Sequence, residues 1–209
     1  EGPPAIASGL KMGVLDAKAE EMLLLEPVAD LSRCTLGDEG ATAVSDLVKG
    51  TSTAPTLLLA RNGISSMGAD SLSDALAASH SVTTLSLFKN KIGDEGLTSL
   101  ADALVPNRML ATLNVRDNRI TSVGARALAS VMQQLGDACG LELLNISDNP
   151  IGPQGCTALA YPLCRLHTLN MSNCQIGDNL APLAVLLKSS RGASSLTTLK
   201  LANNNIGDS

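Results

Sequence analysis

Aromatic residues are almost absent from this sequence. Its 209 residues include no Trp, one Tyr (Tyr161) and one Phe (Phe88), while 44% are hydrophobic and 17% are charged. Aliphatic side chains and Ala must therefore fill the interior, which is typical of repetitive, layered packing. The length and composition suit one globular or solenoidal domain with a substantial core and argue against disorder.

The sequence also lacks long apolar runs and a surplus of positive charge. The longest apolar candidate is 22–25, whereas a membrane helix needs roughly 18 residues, so we expect no membrane span. The net charge is −5 and the pI is near 5.0. Because binding to nucleic acid by general electrostatics needs a surplus of Lys and Arg, we expect no nucleic-acid partner. A local basic patch on the surface stays possible.

Cysteine pairing is also missing. The five cysteines are odd in number and none forms a CxxC pair: Cys34, Cys139, Cys156, Cys164 and Cys174. This pattern predicts neither a disulfide framework nor a zinc site, and it favours a reducing, cytoplasmic compartment. Residues 1–25 lack the basic-then-apolar order of a secretory signal.

What the sequence does contain is an internal repeat of about 28 residues. The segment VTTLSLFKNKIGDEG at 82–96 recurs in related form twice before it and four times after it. One column holds Asn or Cys, with successive spacings of 28, 28, 28, 31, 25 and 30 residues: Cys34, Asn62, Asn90, Asn118, Asn149, Cys174 and Asn204. The 31- and 30-residue steps contain extra loops at 136–140 and 188–195. These loops are either plain drift in repeat length or second-choice contact sites.

Each copy combines a strand pattern with a helix pattern. Leu85 and Leu87 alternate with polar residues at period two, which predicts a strand with one buried face. In 94–105, apolar residues such as Leu97 and Leu100 follow at helical spacing, with acidic residues near the positive N-terminal end of the predicted helix. Strand and helix therefore alternate along the chain.

This pattern resembles the leucine-rich repeat LxxLxLxxNxI in the long form found in ribonuclease-inhibitor-like proteins. The resemblance implies an α/β fold, a horseshoe-shaped solenoid with a parallel β-sheet on the concave face and α-helices on the convex face. About seven repeats, the last incomplete, occupy residues 26–209 and follow an N-terminal segment at 1–25.

The repeat columns predict structural roles for their residues. A buried amide in the Asn column can bond to loop backbone groups of its own and the neighbouring repeat. Cys34 and Cys174 share that column, so we expect them to be structural rather than redox-active or catalytic. A Gly column predicts close approach of neighbouring helices: Gly40, Gly68, Gly96, Gly124 and Gly155.

The two ends of the repeat array are predicted to differ. Residues 16–25 predict a short helix that caps the first repeat, because terminal repeats of a solenoid need a polar outer cover. The sequence ends after a strand, where Leu199, Leu201 and Ile206 lack a following helix. We therefore expect either further chain or a contact that covers the C-terminal end.

The concave face is the expected site for a protein partner. Along the solenoid, the residue before the Asn column changes from basic to acidic and then to neutral Asn, at Asn173 and Asn203. Phe88 is expected at an exposed strand position, where aromatic anchors favour binding. The candidate partner-binding residues are Arg33, Arg61, Ser86, Phe88, Lys89, Asn114, Arg116, Asp117, Asn145 and Asp148. The alternatives are a solvated face with random charge order and a Phe88 that packs on neighbouring strands.

No catalytic machinery is recognisable. His80 and His167 lie in different repeats without Cys, Ser or carboxylate partners at a relay or metal-site spacing, so both are expected on the surface. No GxxxxGK[ST], HExxH or GxSxG motif occurs, and these are the patterns that carry phosphate, metal or acyl chemistry. We therefore predict no enzyme, no catalytic residue, no cofactor and no metal.

The resemblance implies a non-enzymatic scaffold or accessory subunit of a larger intracellular assembly, with cytoskeletal or ciliary complexes as one home. The alternative is a regulatory protein, such as the Ran-type GTPase-activating proteins, whose functional residues cannot be matched to positions here. Ribonuclease inhibition is disfavoured, because that inhibitor is rich in Cys and uses concave aromatics. Tropomodulin-like actin binding and the sensor repeats of nucleotide-binding receptors share the repeat and stay open.

Overall fold

The computed structural model describes residues 10–11, 14–49, 55–160, 166–178, 180–188 and 195–207. Gly136–Ala138 form a short 3-10 helix. The strands and helices are β1 Leu10–Lys11, β2 Val14–Leu15, α1 Ala17–Leu25, β3 Val28–Asp30, α2 Gly37–Lys49, β4 Thr56–Leu58, α3 Ser66–Ala78, β5 Thr84–Ser86, α4 Gly93–Ala103, β6 Thr112–Asn114, α5 Ser122–Leu135, β7 Leu143–Asn145, α6 Gly152–Ala160, β8 Thr168–Asn170, α7 Ala181–Lys188 and β9 Thr198–Lys200.

Strands β3 to β9 form one parallel sheet in sequential order, and a helix separates each strand from the next. The register pairs equivalent leucines of neighbouring repeats, as in Leu57 with Leu85 and Leu85 with Leu113. This confirms the predicted α/β solenoid, with the sheet on the concave face and the helices on the convex face. The antiparallel pair β1–β2 lies before the first repeat.

The core lies between the sheet and the helices. In β5 the two predicted inward leucines, Leu85 and Leu87, are fully buried. On the facing helix, Leu97 and Leu100 are also buried, which confirms the helical spacing predicted for this segment. Aliphatic residues and Ala fill this layer, since the chain has almost no aromatic residues to place there.

The Gly column allows the helices to approach closely. A Cβ atom built at each of four of these glycines would lie between 2.6 and 2.9 Å from an atom of a neighbouring side chain: Gly68, Gly96, Gly124 and Gly155. Real Cβ contacts are essentially never that short. At Gly68, Gly96 and Gly124 that atom belongs to the preceding helix, which confirms the predicted close approach of neighbouring helices. At Gly155 the short contact is with Ile151 of the same repeat, and the nearest atom of the preceding helix, Cβ of Ala125, lies at 3.2 Å.

Buried Asn side chains connect each repeat to the one before it. Nδ2 of Asn90 donates to the carbonyl groups of Leu59 and Leu87, both at 2.9 Å. Its Oδ1 accepts from the backbone N–H groups of Asn62 and Ile64, at 3.0 and 3.1 Å. The Asn column therefore has the role predicted from the sequence, because the amide of Asn90 satisfies backbone groups of its own and of the preceding repeat.

Cysteine supplies only part of what Asn supplies in this column. The thiol of Cys174 makes a weak hydrogen bond to the carbonyl of Ile146 at 3.5 Å, which replaces the amide donor. No amide oxygen is present for the preceding repeat, and the N–H of Ile151 instead donates to the carbonyl of Asn149 at 2.8 Å. Cys34 lies in the first repeat, at the edge of the seven-stranded sheet, where no earlier repeat needs such an acceptor.

An acidic residue at the start of some helices caps the helix of the next repeat. Oδ1 of Asp94 accepts from the N–H groups of Thr121 and Gly124 at 2.8 and 2.9 Å, and its Oδ2 accepts from the Thr121 hydroxyl at 2.6 Å. Thr121 is the N-cap of α5. Asp38 makes the same bonds to Ser65, the N-cap of α3. From the sequence, Asp94 was expected to interact only with the dipole of its own helix.

The segments outside the regular repeats follow the sequence pattern where they are described. The predicted N-terminal helix is α1, which is capped by Asp16 and buries Ala19 and Leu23. It contacts β3 and α2. The loop at 136–140 begins with Gly136 at a φ of +50° after α5, as a Gly beyond a helix end should. Most of the loop at 188–195 lies outside the described residues.

Replacing Asn149 by Ala should destabilise the fold strongly. Its Oδ1 accepts from the N–H groups of Asn118 and Ile120, and its Nδ2 donates to the carbonyl of Val115. Leaving the two buried N–H groups unpaired costs about 1–3 kcal/mol each, so the free energy of unfolding should fall by about 2–6 kcal/mol in urea denaturation. Gln134→Ala, at an exposed amide on α5, should change it by less than about 0.5 kcal/mol. Equal effects of the two variants would contradict the role of the Asn column.

Removing the Asp94 carboxylate should weaken the start of α5 rather than of α4. Asp94→Ala should lower the free energy of unfolding by about 1–3 kcal/mol, since hydrogen bonds to a charged group are lost. Hydrogen exchange should show faster exchange at the amides of Thr121 and Gly124. The matched control is Asp102→Ala, at an exposed carboxylate of α4, which should leave both amides protected. Unchanged exchange at Thr121 in the Asp94 variant would rule out the capping role.

Candidate protein-binding surface

The concave face is lined by the strand residues that alternate with the buried leucines. Within each of β4 to β8, the outer two residues are half-buried and the central residue is buried. Three of the candidate residues, Ser86, Asn114 and Asn145, lie here in adjacent strands and in register. Nδ2 of Asn114 donates to the Ser86 hydroxyl at 3.3 Å. This part of the surface is polar, shallow and partly accessible.

The loop residue before the Asn column has a left-handed backbone in every repeat. Its φ lies between +54° and +63°: Arg33, Arg61, Lys89, Asp117, Asp148, Asn173 and Asn203. This conformation costs an L-residue roughly 1–2 kcal/mol, and the repeat pattern did not predict it. The signal for it in the sequence was the Asp and Asn residues of the last four repeats, because both tolerate a positive φ better than most residues: Asp117, Asp148, Asn173 and Asn203.

Phe88 is half-buried rather than exposed, which corrects the expectation from the sequence. The guanidinium carbon atoms of Arg61 and Arg116 lie over its ring, at 5.6 and 5.2 Å from the ring centroid. These arginines come from the repeats on either side, so the ring is held between two cations at distances typical of cation–π contacts. The structure therefore brings together three of the candidate residues, Arg61, Phe88 and Arg116.

The contacts continue beyond Arg116 into the acidic part of the concave face. Nε of Arg116 forms an ion pair with Oδ2 of Asp148, and Oδ1 of Asp148 accepts from Nδ2 of Asn173 at 2.7 Å. We call Arg61, Phe88, Arg116, Asp148 and Asn173 the concave contact chain. It links five successive repeats, and Asn173 was absent from the residues singled out by sequence.

The remaining candidate residues do not join the concave contact chain. Arg33 and Lys89 are exposed and Asp117 is half-buried, and all three lie on the same row of loops. Asn145 accepts from the Ser147 hydroxyl at 2.7 Å within its own repeat. Asn114 is the exception, because its Oδ1 accepts from the backbone N–H of Arg116 at 3.2 Å. The other side chains surround the concave contact chain, and within the described residues they form no bond to its members.

Nothing in the described residues resembles a catalytic or metal site. His80 and His167 are both exposed, as expected from the sequence. Among the residues that the structure describes, no group of three or more His, Cys, Asp or Glu side chains could hold a metal ion. No helix in the same part of the chain is long and apolar enough to cross a membrane.

An open sheet of parallel strands backed by helices, with a polar concave face, defines a repeat protein of the solenoid class. The family model for the leucine-rich repeat matches residues 30–45, 78–101, 107–129, 140–160, 164–179 and 192–209. The chain therefore belongs to the leucine-rich repeat family, whose repeats generally mediate protein–protein interaction and are typically non-enzymatic. The period of about 28 residues is compatible with the ribonuclease-inhibitor-like form. No curated protein matches the chain.

The buried thiols should be unreactive in the folded protein. Burial raises the pKa of Cys156 and of Cys174 from 9.0 to about 11, so little thiolate forms at neutral pH. Alkylation by iodoacetamide, followed by peptide mass spectrometry, should be much slower in the native chain than in urea. Rapid native labelling of either cysteine would contradict the burial that raises its pKa.

The same pKa shifts predict that the folded protein becomes less stable at alkaline pH. Between about pH 9 and pH 11 an unfolded thiol loses its proton while the buried thiol keeps it. The unfolded state then binds fewer protons, and the free energy of unfolding should fall as pH rises through this window.

Proposed function

We propose that this chain is a non-enzymatic scaffold or accessory subunit of a larger intracellular assembly, and that it binds its protein partner through the concave face. The observation that carries the proposal is the concave contact chain. It places an aromatic ring, two guanidinium groups and a carboxylate on one accessible surface that runs across five repeats.

Pre-positioned side chains suit a binding surface. A side chain that is already held by its neighbours loses less conformational entropy when a partner docks, which leaves more of the interaction energy for affinity. Arginine and aromatic residues are also enriched among the residues that dominate binding energy. Arg61, Phe88 and Arg116 combine both properties, and Ser86, Asn114 and Asn145 offer polar contacts beside them.

We also propose a second contact at the β9 edge of the sheet. Leu199 and Leu201 are half-buried in β9, whereas the equivalent leucines of β5, Leu85 and Leu87, are fully buried. Ile206 is 40% exposed. Apolar side chains in this state gain free energy when another polypeptide segment covers them.

Site-specific photo-crosslinking tests the concave face as the binding surface. A benzoylphenylalanine probe at Asn145, on β7, should crosslink to a partner in native extract, with the partner identified by mass spectrometry. A matched probe at Asp102, which is exposed on the convex helix α4, should give little or no such product. A further probe at Thr197, beside β9, reports on the second contact.

The concave contact chain should control the yield of the Asn145 product. Phe88→Ala removes the ring between the two arginines and should reduce the crosslinked product about tenfold, as expected for an anchor residue worth at least about 1.4 kcal/mol. Ser130→Ala, on the exposed face of α5, should leave the yield unchanged. Equal yields from Asn145 and Asp102, or an unchanged yield in the Phe88 variant, would refute the proposal.

A further inference from the structure

Cations are concentrated on the loops that follow the strands in the first four repeats. These loops, 32–35, 60–63, 88–91 and 116–119, contain a single carboxylate, that of Asp117, in a chain whose net charge is −5. We call their cationic residues the basic rim: Arg33, Arg61, Lys89, Lys91, Arg116 and Arg119. All six are exposed.

The basic rim is largely uncompensated by the protein itself. Arg116 is paired with Asp148. No ion pair involves any of the other five within the residues that the structure describes. The equivalent loops of the last three repeats, 147–150, 172–175 and 202–205, contain no cation at all. The positive charge therefore belongs to one end of the solenoid and is available to an external group.

The backbone fixes the spacing of the basic rim. The N–H groups of Arg33, Arg61 and Lys89 each donate to a carbonyl of the next repeat, at 2.8, 2.9 and 2.9 Å. Hydrogen-bonded neighbours of this kind lie about 4.8 Å apart, so the rim crosses four repeats in roughly 15 Å. Like charges in such a row repel one another and raise the positive electrostatic potential along it. An anionic partner reduces this repulsion.

The geometry at Phe88 disfavours base stacking. Single-stranded nucleic acids stack their bases on exposed aromatic faces, but this half-buried ring already contacts Arg61 and Arg116 from the two flanking repeats. The edge N–H donors of a guanidinium can form a bidentate pair with a carboxylate or a phosphate. Because the net charge of the chain is −5, a carboxylate partner is favoured over a polyanionic nucleic acid.

We infer that the basic rim binds an acidic, Asp- or Glu-rich segment of the protein partner. This inference rests on the proposed function, because it assigns the chemistry of the partner at the first four repeats of the same surface. The acidic segment runs along the loops and pairs with Lys89, Lys91 and the edge donors of Arg61.

Binding of a defined acidic peptide tests the inference. The probe is a short fluorescein-labelled peptide of alternating Glu and Ser, measured by fluorescence anisotropy, with a Gln/Ser peptide of the same length as its neutral counterpart. The Glu/Ser peptide should bind and should weaken as salt is raised, while the Gln/Ser peptide should not bind. An oligouridylate of matched length and charge is the nucleic-acid arm.

Charge reversal locates the site. Lys89→Glu with Lys91→Glu should weaken peptide binding about tenfold or more, and Lys89→Gln with Lys91→Gln should weaken it less. The matched control, Lys18→Glu with Arg126→Glu, makes the same charge change on exposed helix positions and should leave the affinity within about twofold. Circular dichroism and urea denaturation confirm that each variant is folded.

Three outcomes overturn the inference. They are absence of Glu/Ser binding, equal loss in the rim and control variants, or tighter binding of oligouridylate that is lost in the rim variants. Each outcome is separable from failure of the proposed function. If Asn145 crosslinks to a partner while the acidic peptide does not bind, the rim inference falls alone. If the peptide binds at the rim but the concave probe gives no product, the proposed function falls instead.

Discussion

Each repeat leaves buried backbone amides that it cannot satisfy by itself, and this constraint governs the rest of the structure. After a strand ends, the chain must turn towards the helix while its N–H groups are still enclosed by neighbouring repeats. A buried N–H without an acceptor costs about 1–3 kcal/mol. The amide of Asn90 removes this cost for Asn62 and Ile64 of the preceding repeat. Stability is therefore located at the interfaces between repeats, as expected for a solenoid.

The same constraint shapes the surface that a partner meets. To deliver the Asn side chain inward, the residue before it adopts a left-handed backbone, as Arg61 and Lys89 do. Their N–H groups continue the hydrogen bonding between repeats, to Phe88 and Arg116. The side chains of this row then project from a fixed backbone at regular intervals. The backbone of this row is fixed by hydrogen bonds between repeats, whereas side chains such as those of Arg61 and Lys89 are exposed and lie outside the core.

The repeat columns of the sequence predict the parts of the fold that recur in every repeat. The inward leucines, the Asn column and the close approach at Gly96 follow from position within one repeat, and all three are present in the structure. The columns do not predict contacts between residues of different columns. Asp94 caps α5 through a residue 27 positions later. A column identifies the equivalent residues of adjacent repeats. A long side chain can instead contact a residue of a different column in the next repeat.

The candidate site shows the same division. The sequence identified Phe88 and both arginines, yet placed the ring in solvent, because the direction in which Arg61 and Arg116 extend depends on side-chain rotamers. The pair of Arg116 with Asp148 joins two columns and was missed for that reason. Asn173 was seen in its column as a neutral residue, and its bond to Asp148 became visible only in three dimensions.

Magnitudes explain why the fold can carry an uncompensated basic rim. Two unit charges about 5 Å apart in water repel by roughly 0.8 kcal/mol, and salt and flexible side chains reduce this further. Each buried amide of the Asn column prevents the loss of more than that, at about 1–3 kcal/mol for every backbone group it satisfies. The interfaces between repeats therefore outweigh the repulsion at their outer edge. Folding therefore does not dictate the order of the exposed charges along these loops, and that order can serve partner binding instead.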